Sequence, residues 1–458
     1  MVAVVVSLGT MLAPAAWAGG QENLQPVLNA GGKTLQFDWP MLRVGTGEYE
    51  EGPTGVTVVS FARKVYSAID VRGGGPGTVN SDYMRLGYNY PELDAIVFAG
   101  GSWYGLEGAT AVASALKDDG IRDGDAFSDT PNIAMSVGSI IFDFGPRRLN
   151  EIYPDKRLAQ AAFRAARPGV FPLGAQGAGR FAKTGSFFGC NAYSGQGAAF
   201  RQIGEVKIAA FVVVNALGAV TKRDGSLAAC YGDKSWPKDL HIADLMNGYP
   251  DSAKAGWTGP SEEKPSPKNT TISLIVTNQK LDPAELQRLA VQVHTSMARA
   301  LQPFATQFDG DVLYAVSTAE FEPKNAEEGL PPVGLGVVGA EVMWDAILSS
   351  VPEQPVAPAP LANASIDASL LRGYAGDYVF SPFVGLRVTS KGGKLFAVAN
   401  GKRPAYTIGK DKPVELLPVS ENEFVVPGRY PLVLKFDGPD RLLVNPGHWV
   451  QTGLRQAK

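Results

Sequence analysis

A chain of 458 residues is too long for one ordinary domain and suits two or three. With 45% hydrophobic and 19% charged residues it belongs with globular proteins, not disordered ones. A formal net charge of −3 gives no case for nucleic acid or an anionic membrane as partner.

Residues 2–12 are apolar and lead to Ala16-Trp17-Ala18, the pattern of a secretory signal peptide. No Lys or Arg precedes the apolar run. Residues 1–18 are nonetheless expected to be a cleaved signal, which makes the protein exported, periplasmic or secreted. No other run reads as long and apolar enough to span a bilayer. Glu50-Glu51-Gly52-Pro53-Thr54-Gly55 is a turn feeding a strand at Val56. Val71 to Gly77 reads as a flexible glycine loop, without the lysine or spacing of a phosphate cradle. Leu93 to Ala99 is a buried strand that runs into Gly100-Gly101-Ser102 and an alanine-rich helix through Leu116. A strand, a glycine turn and a helix start place free amides at one point, a candidate oxyanion or substrate site; close packing is the plain alternative.

Val137 to Phe144 reads as a strand and Asp155 to Ala166 as a helix. Lys183 follows a glycine-rich stretch, and Ile208 to Val214 is an apolar strand ending at Asn215. A polar amide there either satisfies backbone groups or aims into a site. A loop rich in Pro, Lys and Glu (Gly259 to Lys268) then enters an apolar, β-branched strand through Asn269, Thr270 and Thr271. A hydroxyl at such a junction is held by a strand and reached from a loop. Asp282-Pro283-Ala284-Glu285 starts a helix whose face is Leu286, Leu289, Ala290, Val293 and Met297, with His294 at its border as packed or hydrogen-bonded core. Asp309 and Asp311 flank Gly310 at the mouth of another strand and point the same way if the backbone is extended. Gly334-Leu335-Gly336-Val337-Val338-Gly339 lies ahead of an apolar helix and follows prolines, so it reads as tight packing and not as a dinucleotide site. Residues 351–366 are a Pro/Ala-rich linker, and residues 367–458 alternate in short segments, a small all-β domain of sandwich or barrel type.

The chain has three histidines, no His-Glu-x-x-His and no Gly-x-Ser-x-Gly. A zincin is excluded, no metal or other cofactor is called for, and the base of any hydrolase here is expected not to be histidine. Two cysteines, Cys190 and Cys230, make no scaffold or zinc cluster; one disulfide and two free thiols stay open.

Glu50-Glu51-Gly52-Pro53-Thr54-Gly55, Gly100-Gly101-Ser102 with Tyr104-Gly105-Leu106, Gly195-Gln196-Gly197, Asn215, Asn269-Thr270-Thr271-Ile272 and Phe308-Asp309-Gly310-Asp311 occur in that order. The ordered set resembles the DmpA-type N-terminal-nucleophile hydrolases of peptidase family S58, and among them the nylon-oligomer (6-aminohexanoate-oligomer) hydrolases. The resemblance covers about residues 35–350. It implies an α/β fold, a four-layer αββα sandwich of the DmpA and ornithine acetyltransferase type, over residues 19–350. It also implies a precursor that cuts itself between Asn269 and Thr270, an acyl-enzyme on Thr270, and a homo-oligomer, a tetramer. The substrate would be a small peptide or oligoamide. The freed α-amine, with a reference pKa of about 7.7–8.0, serves as base for its own hydroxyl. By position, Asn215 holds the oxyanion or orients Thr270, Asp309 and Asp311 position the nucleophile and its amine, and Lys183 lowers the pKa of that amine. Three positions depart from the family: Phe142 replaces a tyrosine, Ala305 a histidine and Val312 a threonine. They put substrate choice in doubt; the losses at Phe142 and Ala305 keep a non-catalytic envelope binding protein in view, and the resemblance to ornithine acetyltransferases keeps an acyltransferase.

Overall fold

The computed structural model describes residues 21–85, 89–122, 132–145, 150–232, 236, 239–247, 269–325, 328–361 and 366–456. The expected signal segment and the loop from Gly259 to Lys268 lie outside the described residues.

Among these residues eleven strands form one mixed sheet. Its longer members are β1 (Leu42–Tyr49), β2 (Thr54–Val71), β3 (Glu92–Ala99), β4 (Ser136–Ile140), β5 (Gln196–Ile203), β6 (Val206–Asn215), β7 (Thr270–Gln279) and β8 (Val312–Phe321). The order is β5-β6-β7-β8-β2-β3-β4, with β1 also paired to β2. The β7/β8 and β3/β4 pairs are parallel. Strand β2 is 18 residues long and changes partner along its length. Its start pairs with β1 and its end, from Tyr66, with β8; the register against β3 shifts between Ser60 and Val65.

The period-two alternation sends successive side chains to different cores. In β7, Ile272, Leu274 and Val276 enter a central cluster shared by both halves of the sheet, while Ile275 faces the other way. In β2, Val59 and Phe61 join the central cluster while Val56 and Val58 face away. The outward faces are covered by helices. Helices α1 (Glu107–Asp118) and α2 (Lys156–Arg164) cover β2 and β3; α3 (Pro283–Ser296) and α4 (Pro332–Ser349) cover β6, β7 and β8. All ten residues of β7 are buried, as expected of a strand covered on both faces.

Helix α3 begins with the expected capping box between Asp282 and Glu285. Gly334 to Gly339 lies inside α4, not ahead of it. A Cβ at Gly336 would come within 2.2 Å of the Gln292 side chain of α3, so the glycines let two helices approach. Helix α4 corrects one expectation: it is long and apolar enough, by length and composition, to cross a membrane. Here Leu335, Val342, Met343, Ala346 and Ile347 pack into the core against α3 and the sheet. Strand β4 ends at Ile140 instead of reaching Phe144, because the chain turns there to set Asp143 against Gly101.

The C-terminal region is a closed barrel of β9 (Gly376–Val379), β10 (Gly385–Lys391), β11 (Lys394–Ala399), β12 (Val414–Pro418), β13 (Glu423–Val425), β14 (Val433–Phe436), β15 (Arg441–Asn445) and β16 (Gln451–Arg455). It is preceded by a short helix, α5 (Ala368–Tyr374), whose Leu371 and Tyr374 enter the barrel core; Tyr374 stacks on Phe436 with centroids 4.1 Å apart. Cys190 and Cys230 form a disulfide.

Candidate active site

The topology brings three strand ends together. Strand β7 starts at Thr270, opposite Asn215, the last residue of antiparallel β6. On its other side β8 runs parallel, and Asn269 bridges to Asp309. One edge of the sheet therefore carries the start of two strands and the end of a third, with a polar residue at each.

Thr270 is only 4% exposed. Its Oγ1 donates to the carbonyl oxygen of Asn269 at 2.5 Å, and the backbone N–H of Gly310 donates to the same oxygen at 2.9 Å. Two donors thus polarise the carbonyl of the Asn269–Thr270 peptide bond, and the Gly310 amide stands where an oxyanion on that carbon would need a partner. Gly310 has no room for a side chain: a Cβ would lie 2.7 Å from Thr270 Oγ1. The Asp-Gly-Asp triplet had drawn attention to its acids; the glycine between them, missed as a functional residue, supplies the amide.

Both acids are buried. Asp311 accepts from the Thr271 amide at 2.6 Å and the Ala305 amide at 3.0 Å. Asp309 accepts from Leu217 N at 3.3 Å, Thr306 N at 3.0 Å and Thr306 Oγ1 at 2.7 Å. Burial and the neighbouring Asp309 carboxylate push Asp311 up to about 8, and burial raises Asp309 as well. The pair is buried one residue past the Asn269–Thr270 bond, with Asp311 on the amide of Thr271. Ala305 contributes here through its backbone.

The Asn215 side chain is held at both ends, accepting from Lys183 N at 3.1 Å and donating to the Phe142 carbonyl at 3.0 Å. Lys183 and Phe142 thus meet the site through backbone atoms. The Lys183 ammonium lies 5.2 Å from the ring centroids of both Phe181 and Tyr193.

The turn at Gly100, Gly101 and Ser102 is corrected as a source of free amides. Gly100 N donates to Gly55 O at 2.9 Å, Gly101 N to Asp143 Oδ1 at 2.7 Å and Ser102 N to Ile141 O at 3.0 Å. Each donor is already taken, so the close-packing alternative describes this turn. The loop after Val71, read as a flexible turn, is instead laid onto the acids: Gly73 N donates to Asp311 O at 3.2 Å and Gly75 N to Asp309 O at 2.9 Å. A Cβ at Gly73 would come within 2.2 Å of Asp311 N. The run of three glycines was the signal for that backbone-to-backbone contact. His294 is fully buried, with Nδ1 2.8 Å from Asp70 Oδ2, and belongs to the core. Among the described residues no group of three or more His, Cys, Asp or Glu could hold a metal ion.

The model of peptidase family S58 matches residues 37–367, which contain every group described above. The chain belongs to that family. This S58 member is 38% identical over 340 residues to a 6-aminohexanoate-oligomer endohydrolase of Kocuria sp. (strain KY2), across 72% of this chain and 89% of the relative. It is 31% identical over 319 residues to an uncharacterized aminopeptidase of Mycobacterium bovis, across 67% of this chain and 88% of the relative. Among solved structures, the L-aminopeptidase D-Ala-esterase/amidase of Ochrobactrum anthropi, described as a variant of the Ntn hydrolase fold, aligns with a TM-score of 0.49 at 18% identity, covering 73% of this chain and 91% of that one. As an S58 member the chain is a hydrolase acting on amide bonds. The barrel lies beyond the end of the family match.

Proposed function

We propose that this S58 member cuts itself between Asn269 and Thr270 and then hydrolyses linear amides through an acyl-enzyme on Thr270. The observation that carries the reading is the convergence of Thr270 Oγ1 and Gly310 N on the Asn269 carbonyl. Thr270 Oγ attacks the Asn269 carbonyl carbon, with the developing oxyanion on Gly310 N. The C–N bond breaks and the nitrogen takes the proton, leaving an ester between Asn269 and Thr270 Oγ. Water hydrolyses that ester to the Asn269 carboxylate and a Thr270 with free amine and hydroxyl. In turnover the amine accepts the hydroxyl proton as Oγ attacks the substrate carbonyl, and passes it to the departing amine. Asp309 and Asp311 hold the new α-ammonium through their charge, Asn215 orients Thr270, and Lys183 opposes protonation of the amine.

The finer architecture in this reading is a four-layer αββα sandwich over residues 19–350. It is supported by the central apolar cluster and the two outer helix pairs. Residues 351–366 act as linker and 367–458 as the barrel unit. The Cys190–Cys230 disulfide fits an exported protein, periplasmic or secreted. A tetramer is the assembly the family resemblance implies. The identity to a 6-aminohexanoate-oligomer endohydrolase supports linear oligoamides as substrates.

The test is a denaturing gel of purified protein with N-terminal sequencing of the smaller fragment. Wild type gives two fragments, the smaller starting at Thr270. Thr270→Ala gives one uncut chain without amidase activity. An uncut wild type that still hydrolyses amides would refute the proposal.

A further inference from the structure

The barrel is outside the family match, yet it forms one wall of a cleft of about 430 Å³ against the hydrolase core. Tyr104, Tyr153 and Glu151 line it from the core; Phe383 and Arg403 line it from the barrel. Three rings give the cleft apolar walls, and each wall carries one charge. On the barrel side Arg403 and Lys402 stand over the Phe383 ring, 5.7 and 5.3 Å from its centroid. Neither cation has an ion-pair partner among the described residues, and nor does Glu151 opposite. Unpaired cations at an aromatic rim suit an anionic group arriving from outside, with its apolar stem against the rings.

A row of packed residues links the core wall of the cleft to the edge where Thr270 sits. Tyr104 packs on Phe144 at 6.3 Å and Phe144 on Phe142 at 5.3 Å, and the Phe142 carbonyl accepts from Asn215, the strand partner of Thr270.

We infer that the core–barrel cleft is a substrate subsite for the leaving-group side of a linear oligoamide that ends in a free carboxylate. The inference rests on the hydrolase reading above. In a linear oligoamide the carboxylate lies on the amine side of every internal amide bond. The fragment in the cleft is thus the one that departs when Thr270 is acylated. Arg403 takes the carboxylate, Phe383, Tyr104 and Tyr153 take the methylenes between amides, and Glu151 opposite excludes a carboxylate from the core wall and accepts an amide N–H.

The test compares kcat/KM on the linear trimer of 6-aminohexanoate and on the same trimer with its carboxylate converted to a carboxamide. Processing on a gel serves as the folding control. Arg403→Ala should process normally, lose about fivefold in kcat/KM on the acid through a higher KM, and change little on the carboxamide. Phe383→Ala should weaken both substrates alike. Equal effects of Arg403→Ala on the two trimers, or none on either, would overturn the subsite while leaving the hydrolase reading intact. A processed wild type that turns over neither trimer would overturn the subsite together with the linear-oligoamide substrate it rests on, and leave self-cleavage intact.

Discussion

The sheet edge at Thr270 and the seam between core and barrel hold their side chains by different means. At the edge, backbone ladders do the positioning: Asn215 faces Thr270, Asn269 faces Asp309, and the carboxylates are fixed by amides of Thr271, Ala305, Thr306 and Leu217. At the seam a few side chains bridge two cores. Phe181 enters the barrel's apolar cluster and packs on Trp449 at 5.5 Å, Tyr193 Oη donates to Pro446 O at 2.5 Å, and Arg180 donates to His448 O at 2.6 Å. The two regions meet at Lys183, whose backbone reaches Asn215 and whose ammonium lies against Phe181 and Tyr193. A geometry set by strand register tolerates no local adjustment, whereas one set by side-chain packing can relax in part. Lesions at the edge should therefore be close to all-or-none, and lesions at the seam graded.

The largest effect is expected at Gly310. Alanine keeps the amide donor but places a Cβ 2.7 Å from Thr270 Oγ1 and 2.8 Å from Gly75 O, so the hydroxyl or the glycine loop must move. Losing one well-placed donor or displacing a nucleophile by about 1 Å costs on the order of 100-fold. Gly310→Ala should accumulate as uncut chain and convert about 100-fold more slowly than wild type in a gel time course. Conversion at the wild-type rate would show that the edge is softer than the ladder implies.

The same contrast governs what could be read from residues alone. Thr270, Asn215, Asp309 and Asp311 are polar groups at the tips of apolar strands, and a strand tip is visible in a linear pattern. Their convergence needed the strand order, which the ordered motifs supplied by resemblance. Contacts made by backbone atoms carried no such mark. The amides of Gly100, Gly101 and Ser102 read as free because their acceptors, Gly55 O, Asp143 and Ile141 O, come from other segments. Gly73 read as flexible because the loop it touches lies more than two hundred positions away. In the barrel, β12 and β16 contain Pro418 and Gly453, which blur the strand pattern.

The acid pair sharpens the comparison through pH. The folded pKa of Asp311 is raised from 3.8 to about 8, so the folded uncut chain binds more protons than the unfolded chain between those values. Stability from this group is complete below about pH 4 and is lost as pH rises through about 8, an effect of several kcal/mol if unopposed. The uncut Thr270→Ala protein should therefore melt at progressively lower temperature from pH 5 to pH 9. Adding Asp311→Asn should flatten that slope while lowering the melting temperature at pH 5, because an amide NH2 then confronts the Thr271 or Ala305 N–H. Processed wild type should also be flatter, since its free α-ammonium supplies the missing counter-charge. Parallel slopes in all three would remove the acid pair as the source.

At the seam the expected loss is smaller and divides between stability and rate. Phe181 is 5% exposed, and its ring is shared between the barrel core and the Lys183 ammonium. Phe181→Ala leaves a cavity in the barrel cluster, at a cost of about 3 kcal/mol, and removes one of the two rings beside Lys183. Asn215 keeps its contact with the Lys183 backbone, and the donors on the Asn269 carbonyl are untouched, so processing should stay near the wild-type rate. In the proposed turnover the free amine of Thr270 is the base, and a loosened Lys183 ammonium would oppose its protonation less. The acid limb of the kcat/KM profile should therefore move to higher pH, with kcat/KM at pH 7 falling only a few-fold. If Phe181→Ala destabilises the protein but leaves the pH profile in place, the barrel steadies the core without reaching Lys183, and the two regions are mechanically separate.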